Sequence, residues 1–237
     1  MAPGILYLIP TTLGGGDADA VLPARVQERI RHLNYFIAEN PKTARALLKL
    51  VGPGLRLQSI RIERLDHNTA ASAIDSLLRP VFAGSDAGLI SEAGCPAIAD
   101  PGAPLVRRAH QCGVAVVPLV GPSSILLALI ASGLESQRFA FHGYLPVKLP
   151  ARDKAIGNIE SRSRRNRETQ IFIETPYRNM PLMDALLAVC RPDTQLCIAT
   201  DLTLPTESIH TSRISDWASH KPDLKDRPSV FLLLAEL

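Results

Sequence analysis

Over the first half of the chain, short continuous apolar runs alternate with longer stretches in which apolar residues recur every three or four positions. Ile5 to Ile9 is such a run, ended by Pro10 and followed by Thr11, Thr12, Leu13 and three glycines, and it predicts a buried first strand feeding a loop. Val26, Ile30 and Leu33 stand among charged residues at helical spacing, which predicts a helix over 21–33. Residues 35–38 form a second apolar run that Glu39, Asn40 and Pro41 stop, and Pro41 suits the first turn of a helix that Gly52 ends. Loose alternation over 57–65 predicts a third strand, with Asp66, His67 and Asn68 at the cap of a helix over 69–78. Leu89 and Ile90 read as a short fourth strand running into Ser91, Glu92, Ala93 and Gly94. Small residues let a ligand approach the backbone there, and Pro96 and Pro101 fix the loop's φ angles. A helix over 104–112 ends at Gly113, and the β-branched run 114–120 predicts a fifth strand buried on both faces. Five such strand and helix units imply a mostly parallel sheet with helices on both sides.

Beyond Gly121 the pattern changes. Gly121, Pro122, Ser123 and Ser124 open an apolar helix reaching Ala131, with Gly133 as its stop. Strand patterns follow over 138–144, 169–173 and 195–199, with a polar helix or loop over 151–167 and a helix over 180–189. Residues 208–217 and 229–235 are further strand-like segments. Strands that follow one another without long helices predict a mixed sheet. The fold class is therefore α/β, with an N-terminal domain over 1–120 built on a mostly parallel five-stranded sheet and a C-terminal domain over 121–237 built on a mixed sheet.

Composition changes little in this picture. The chain has 237 residues, 46% of them apolar and 21% charged, and a net charge of +3, which permits an anionic partner such as RNA without requiring one. Cys95, Cys112, Cys190 and Cys197 are scattered without metal-ligand spacing, so no metal is expected and reduced thiols in a cytoplasmic protein fit best. No basic leader precedes an apolar core at the N-terminus, no apolar run is long enough to span a membrane, and no membrane association is expected. Gly14 to Gly16 lacks the G-x-G-x-x-G spacing of a dinucleotide site.

The candidate chemistry lies where strands end. Pro10 with Thr11 and Thr12, Glu39 with Asn40, Ser91 to Gly94, Gly121 to Ser124, Glu174 with Thr175 and Pro176, and Thr200 with Asp201 all follow a predicted strand. Ligands of open α/β sheets bind outside the carboxyl ends of the strands. The alternative for each turn is that turns need such residues in any case.

Glu39-Asn40, His67-Asn68, SEAGCPAIADPG at 91–102, GPSSILLALIASG at 121–133, FHGYLP at 141–146 and FIETPYR at 172–178 follow one another in a familiar order and spacing. By them the chain resembles the tetrapyrrole methylase superfamily, and within it is most similar to the ribosomal RNA small subunit methyltransferase I family, whose members methylate the ribose 2'-hydroxyl of a cytidine. The resemblance covers nearly the whole chain. It implies two α/β/α domains, S-adenosylmethionine as cofactor in the cleft between them, a homodimer, and ribosomal RNA or the small-subunit particle as partner. Pro10, Glu92, Ala93, Gly94, Ile98, Ser123, Ser124 and Ile125 would then contact the donor, with Thr175 and Thr200 from the second half. A ribose hydroxyl is a poor nucleophile, so a general base is expected, with Glu39, Glu174 and Asp201 as candidates and helix capping or an ion pair with Arg178 as the alternative. Arg162, Arg164, Arg165 and Arg167, preceded by Lys148, Arg152 and Lys154, form a basic run suited to phosphate contacts or to a solvated helix face.

The chain also departs from the family pattern. ENPK at 39–42 replaces EDTR, SEAG at 91–94 replaces SDAG, ETPYR at 174–178 replaces ESPHR, and DLTLPTE at 201–207 lacks the lysine of the ELT motif. Family members continue into a small helical C-terminal domain, which this chain is expected to lack. Two rival readings therefore stand beside RNA methylation: a methyltransferase acting on a small molecule such as a tetrapyrrole, and a non-catalytic paralogue that binds the donor or RNA.

Overall fold

The computed structural model describes residues 2–52 and 57–235, and the chain divides into two compact units, Met1–Ser123 and Ser124–Leu237. The first contains β1 (Ile5–Ile9), α1 (Ala18–Val21), α2 (Ala24–Arg31), β2 (Tyr35–Ala38), α3 (Pro41–Val51), β3 (Arg61–Arg64), α4 (Ile74–Phe82), β4 (Ala87–Ile90), α5 (Gly102–Gln111) and β5 (Ala115–Pro118). All pairings are parallel and the strand order is β3-β2-β4-β1-β5, so β4 is the middle strand. Alternate side chains of each strand enter opposite cores, as the period of two requires. Tyr7, Ile9, Phe36 and Ile90 pack under α2 and α3, while Leu6, Tyr35, Ile37 and Leu89 pack under α4 and α5.

The second unit contains α6 (Ser124–Ser132), β6 (Phe139–Tyr144), α7 (Ala151–Asn166), β7 (Thr169–Ile173), α8 (Asn179–Val189), β8 (Gln195–Thr200), β9 (Ser208–Arg213), α9 (Ile214–Ser219) and β10 (Ser229–Leu234). Its sheet has the order β6-β7-β10-β8-β9, with only β6 and β7 parallel, which is the mixed sheet the sequence predicts. Phe172 and Phe231 stack with ring centroids 5.8 Å apart inside the core formed with α7, α8 and α9. No helix among the described residues is long and apolar enough to cross a membrane.

Five expectations need correction. The helix expected over 21–33 is two helices, because Pro23 restarts the chain as the N-cap of α2. The strand expected over 57–65 is a 3-10 turn at Leu57–Ser59 followed by the four residues of β3. Asp66, His67 and Asn68 do not cap the next helix. The Asp66 carboxylate accepts from Asn68 N and Thr69 Oγ1, closing a local turn, and α4 starts only at Ile74, after a 3-10 turn. β5 lies at the sheet edge with Ala115 and Pro118 exposed, so its β-branched run is not buried on both faces. Residues 208–217 are one strand and the start of a helix, because Ile214 and Trp217, three apart, turn together into the core.

Candidate active site

Parallel pairing places all five strand ends of the first unit along one edge of its sheet. The turns after β2, β3 and β4 enclose an open cavity of about 470 Å³, lined by Glu39 and Asn40, by Arg64, Asp66 and His67, and by Glu92. Asn40 does local work: its side chain accepts from Lys42 N at 3.0 Å and caps α3. Asp66 is likewise engaged, with Arg64 Nε 2.8 Å from its Oδ2, and the hydrogen bond from Asn68 N leads the causes that hold its carboxyl below the ordinary value. Glu39 differs. Its Oε1 has His67 Nε2 at 3.8 Å, and burial pushes its pKa up, helped by the negative charges of Glu92, Asp100 and Asp66 and opposed by His67. Glu92 Oε2 accepts from Thr43 Oγ1 at 3.4 Å.

The loop after β4 is tied to the end of β1. Thr11 N donates to Gly94 O at 2.9 Å, and the buried Ser91 hydroxyl donates to the same oxygen at 3.2 Å. Gly94 has φ +67, and a Cβ there would crowd Leu13 Cδ2 and Pro122 O at 3.2 and 3.3 Å. Pro10 packs so closely on Gly121 that any side chain at 121 would overlap its ring. The Thr11 hydroxyl is buried and has no hydrogen-bond partner among the described residues, where buried polar groups are as a rule paired. Burial raises the Cys95 thiol pKa, and its sulfur faces Pro122 O at 3.5 Å, so this cysteine is not an activated nucleophile. Ile98 is 47% exposed at the loop tip.

In the second unit β7 and β8 both run antiparallel to β10, so their ends lie on the same side of the sheet. The buried Glu174 Oε1 accepts from Thr175 N at 2.7 Å, from Thr175 Oγ1 at 3.2 Å, and from Arg178 Nε and Nη2 at 2.9 and 2.7 Å. The buried Asp201 Oδ2 accepts from Thr206 Oγ1 at 2.8 Å and Arg227 Nε at 2.9 Å. Asn179 Nδ2 donates to Arg227 O at 2.6 Å, linking the two pairs. Thr200 Oγ1 lies 3.3 Å from Ser229 Oγ, and Ser124 and Ile125 begin α6. Of the three carboxylates considered as bases, Glu39 alone borders the open cavity, while Glu174 and Asp201 are each held by an arginine. Among the described residues no group of three or more His, Cys, Asp or Glu side chains is arranged to hold a metal ion.

A sequence profile of the tetrapyrrole (corrin/porphyrin) methylases matches residues 6–218. The chain belongs to this methylase family. Among curated proteins it is 33% identical to the ribosomal RNA small subunit methyltransferase I of Escherichia coli O157:H7 over 236 residues, covering 98% of this chain and 78% of that protein. The Haemophilus influenzae protein of the same name is 32% identical over 93% of this chain and 75% of its own length. That of Streptococcus pyogenes serotype M1 is 32% identical over 98% and 76%. Two solved structures share the fold. The methyltransferase CobJ has a TM-score of 0.64 at 16% identity, over 98% of this chain and 94% of its own. A uroporphyrin-III-C-methyltransferase from Thermus thermophilus has a TM-score of 0.57 at 18% identity, over 98% and 92%.

Within this methylase, two features of the site escape the sequence reading. Asp100 accepts from Ala97 N and Gly102 N and so holds the loop after β4, although its Asp-Pro-Gly context signals only a turn. Arg227 pairs with Asp201 across 26 positions, a distance at which sequence carries no pairing signal. The basic run lies largely on α7: Arg162 is held by Glu168 at 2.7 Å, whereas Arg165 and Arg167 are exposed.

Proposed function

We propose that this methylase transfers the methyl group of S-adenosylmethionine to a ribose 2'-hydroxyl of ribosomal RNA. The observation that carries the reading is similarity over nearly the whole of this chain: relatives named for small-subunit ribosomal RNA methylation match 93–98% of it, and 75–78% of their own length, at 32–33% identity. The loop after β4 fits the methyl donor, which carries an amino acid, a sulfonium cation and an adenine. The unpartnered Thr11 hydroxyl and the backbone at Gly94 offer polar contacts, Glu92 offers a carboxylate, and Ile98 offers an apolar surface.

The donor supplies a methyl carbon already activated by the sulfonium, so the chain's task is to orient the acceptor and take its proton. Glu39 is the proposed base. In the carboxylate form it accepts the 2'-hydroxyl proton as the oxygen bonds to the methyl carbon and the carbon–sulfur bond breaks. Its raised pKa suits it to proton transfer, and it borders the open cavity, whereas Glu174 and Asp201 each have one carboxylate oxygen held by an arginine. The exposed Arg165 and Arg167 are proposed to meet phosphates, and the assembly is proposed to be a cytoplasmic homodimer through α6, which is apolar all round and leaves Ile130 74% exposed.

The test is incubation of the protein with radiolabelled S-adenosylmethionine and unmodified small ribosomal subunits. Label is expected in the RNA, at a nucleotide whose 3' bond resists alkali. Donor binding without transfer to RNA would overturn the RNA reading, and absence of donor binding would overturn the methyltransferase reading as a whole.

A further inference from the structure

The stretch from Ala97 to Gly102 carries a conformation it does not adopt unaided. Ala97 and Ala99 have φ of +66° and +58°, a left-handed region that costs an alanine about 1–2 kcal/mol at each position. Two such residues flank Ile98 and turn its apolar side chain outward. One carboxylate ties the backbone on either side of them. Both oxygens of Asp100 accept from Ala97 N, each at 2.9 Å, and Oδ1 also accepts from Gly102 N at 2.7 Å, where α5 begins. The other half of the loop is fixed separately, through Gly94 O, by Thr11 and Ser91. Strained residues persist at binding sites where surrounding contacts over-determine them.

We propose that Asp100 is a positioning residue for the methyl donor: its carboxylate clamps Ala97 and Ala99 in the left-handed form and so presents Ile98 and the neighbouring backbone to the ligand. The inference rests on the reading of this loop as the donor site. Asp100 does not touch the donor; it acts through the loop. Its role depends on accepting hydrogen bonds, and an asparagine Oδ1 can serve Ala97 N and Gly102 N in its place.

The test is titration calorimetry of the full chain with S-adenosylmethionine, with thermal denaturation to confirm folding and kcat measured beside the donor KM. Asp100→Ala is expected to weaken donor binding at least tenfold and to raise the donor KM more than it lowers kcat. Asp100→Asn is expected to stay within a few-fold of the parent. Adding Ala97→Gly to Asp100→Ala is expected to regain part of the loss, because glycine takes the left-handed form without penalty. Ala97→Val, which keeps Asp100 but strains the loop further, is expected to weaken binding several-fold and serves if Asp100→Ala does not fold. Parent-like affinity in Asp100→Ala or Ala97→Val overturns the clamp, as does an Asp100→Asn variant as weak as the alanine. A parent protein that binds no donor overturns the donor site and the clamp together, a result distinct from failure of the clamp alone.

Discussion

The Arg178 guanidinium donates to Glu174 Oε1 from both Nε and Nη2, at 2.9 and 2.7 Å, four residues along the chain. A single carboxylate oxygen that also receives Thr175 N and Thr175 Oγ1 has little capacity left for a substrate proton. Glu174→Gln is therefore expected to act as a structural change. It should lower the midpoint of thermal unfolding, by roughly 2–4 °C for each kcal/mol lost in a chain of this size, while turnover by the folded protein falls less than about tenfold. A loss of about a hundredfold or more in turnover with an unchanged midpoint would move the base from Glu39 to Glu174.

Glu39 is expected to behave in the opposite way. Glu39→Gln should leave the midpoint near the parent value and reduce kcat by about 10²–10⁴-fold. The pH dependence has a definite sign. Burial raises the Glu39 pKa, so the carboxylate takes its proton at a higher pH than an ordinary glutamate. A base must be unprotonated to act, so kcat/KM should fall as the solution is acidified through that raised value, and the fall should begin above the pH where ordinary carboxylates titrate. Glu92→Gln removes one of the negative charges that raise Glu39 and should move the acid limb to lower pH. An acid limb that does not move in Glu92→Gln would argue against Glu39 as its source.

What the sequence discloses follows from burial. β1, β2 and β4 are continuous apolar runs because they lie side by side in the middle of a sheet covered on both faces, and each is legible to within two residues. The run at 114–120 looks the same on paper, yet β5 is an edge strand. β-Branched residues report a pleated surface rather than a position in the sheet, and Pro118, which cannot donate to a further strand, was the better signal. Pro23 held similar information about the break between α1 and α2. At the site, the loop after β4 is legible from its small residues and prolines. Of the carboxylate environments, the pairing of Glu174 with Arg178 is legible because the two stand four residues apart, whereas Arg227 reaches Asp201 only through the fold and leaves no signal in the sequence.

Gly121 offers a test of the edge on which the site stands. Its missing side chain lets Pro10 pack directly against the backbone, joining the end of β1 to the segment after β5. A methyl group there would overlap the proline ring, and neither partner can move without displacing the chain. Gly121→Ala is expected to destabilise the fold by about 1–3 kcal/mol and to weaken S-adenosylmethionine binding in the protein that remains folded. Gly15, with nothing near its missing Cβ but φ +111, separates the two effects. Gly15→Ala strains the backbone without overlap and should cost stability while leaving the packing of Pro10 intact. Urea denaturation of both variants, read beside donor titrations, checks the distinction.

The RNA contacts are open to a salt titration. Arg165 and Arg167 are exposed near the end of α7, and Arg165 Nε lies 3.4 Å from Asn166 Oδ1. Arg162 is bound to Glu168 and makes a suitable control. Each phosphate contact releases condensed counterions, so the logarithm of the binding constant falls with the logarithm of salt concentration by about 0.7–0.9 per contact. Arg165→Gln with Arg167→Gln should weaken binding to small-subunit RNA and make that slope shallower by about 0.7–0.9 for each contact removed. Arg162→Gln should change the slope little and instead free Glu168, which the Arg162 pair helps to hold below its ordinary pKa together with the larger effect of Gln170. An unchanged slope in the double variant would place the RNA surface elsewhere on the chain, and unchanged affinity as well would leave the basic run as a solvated helix face.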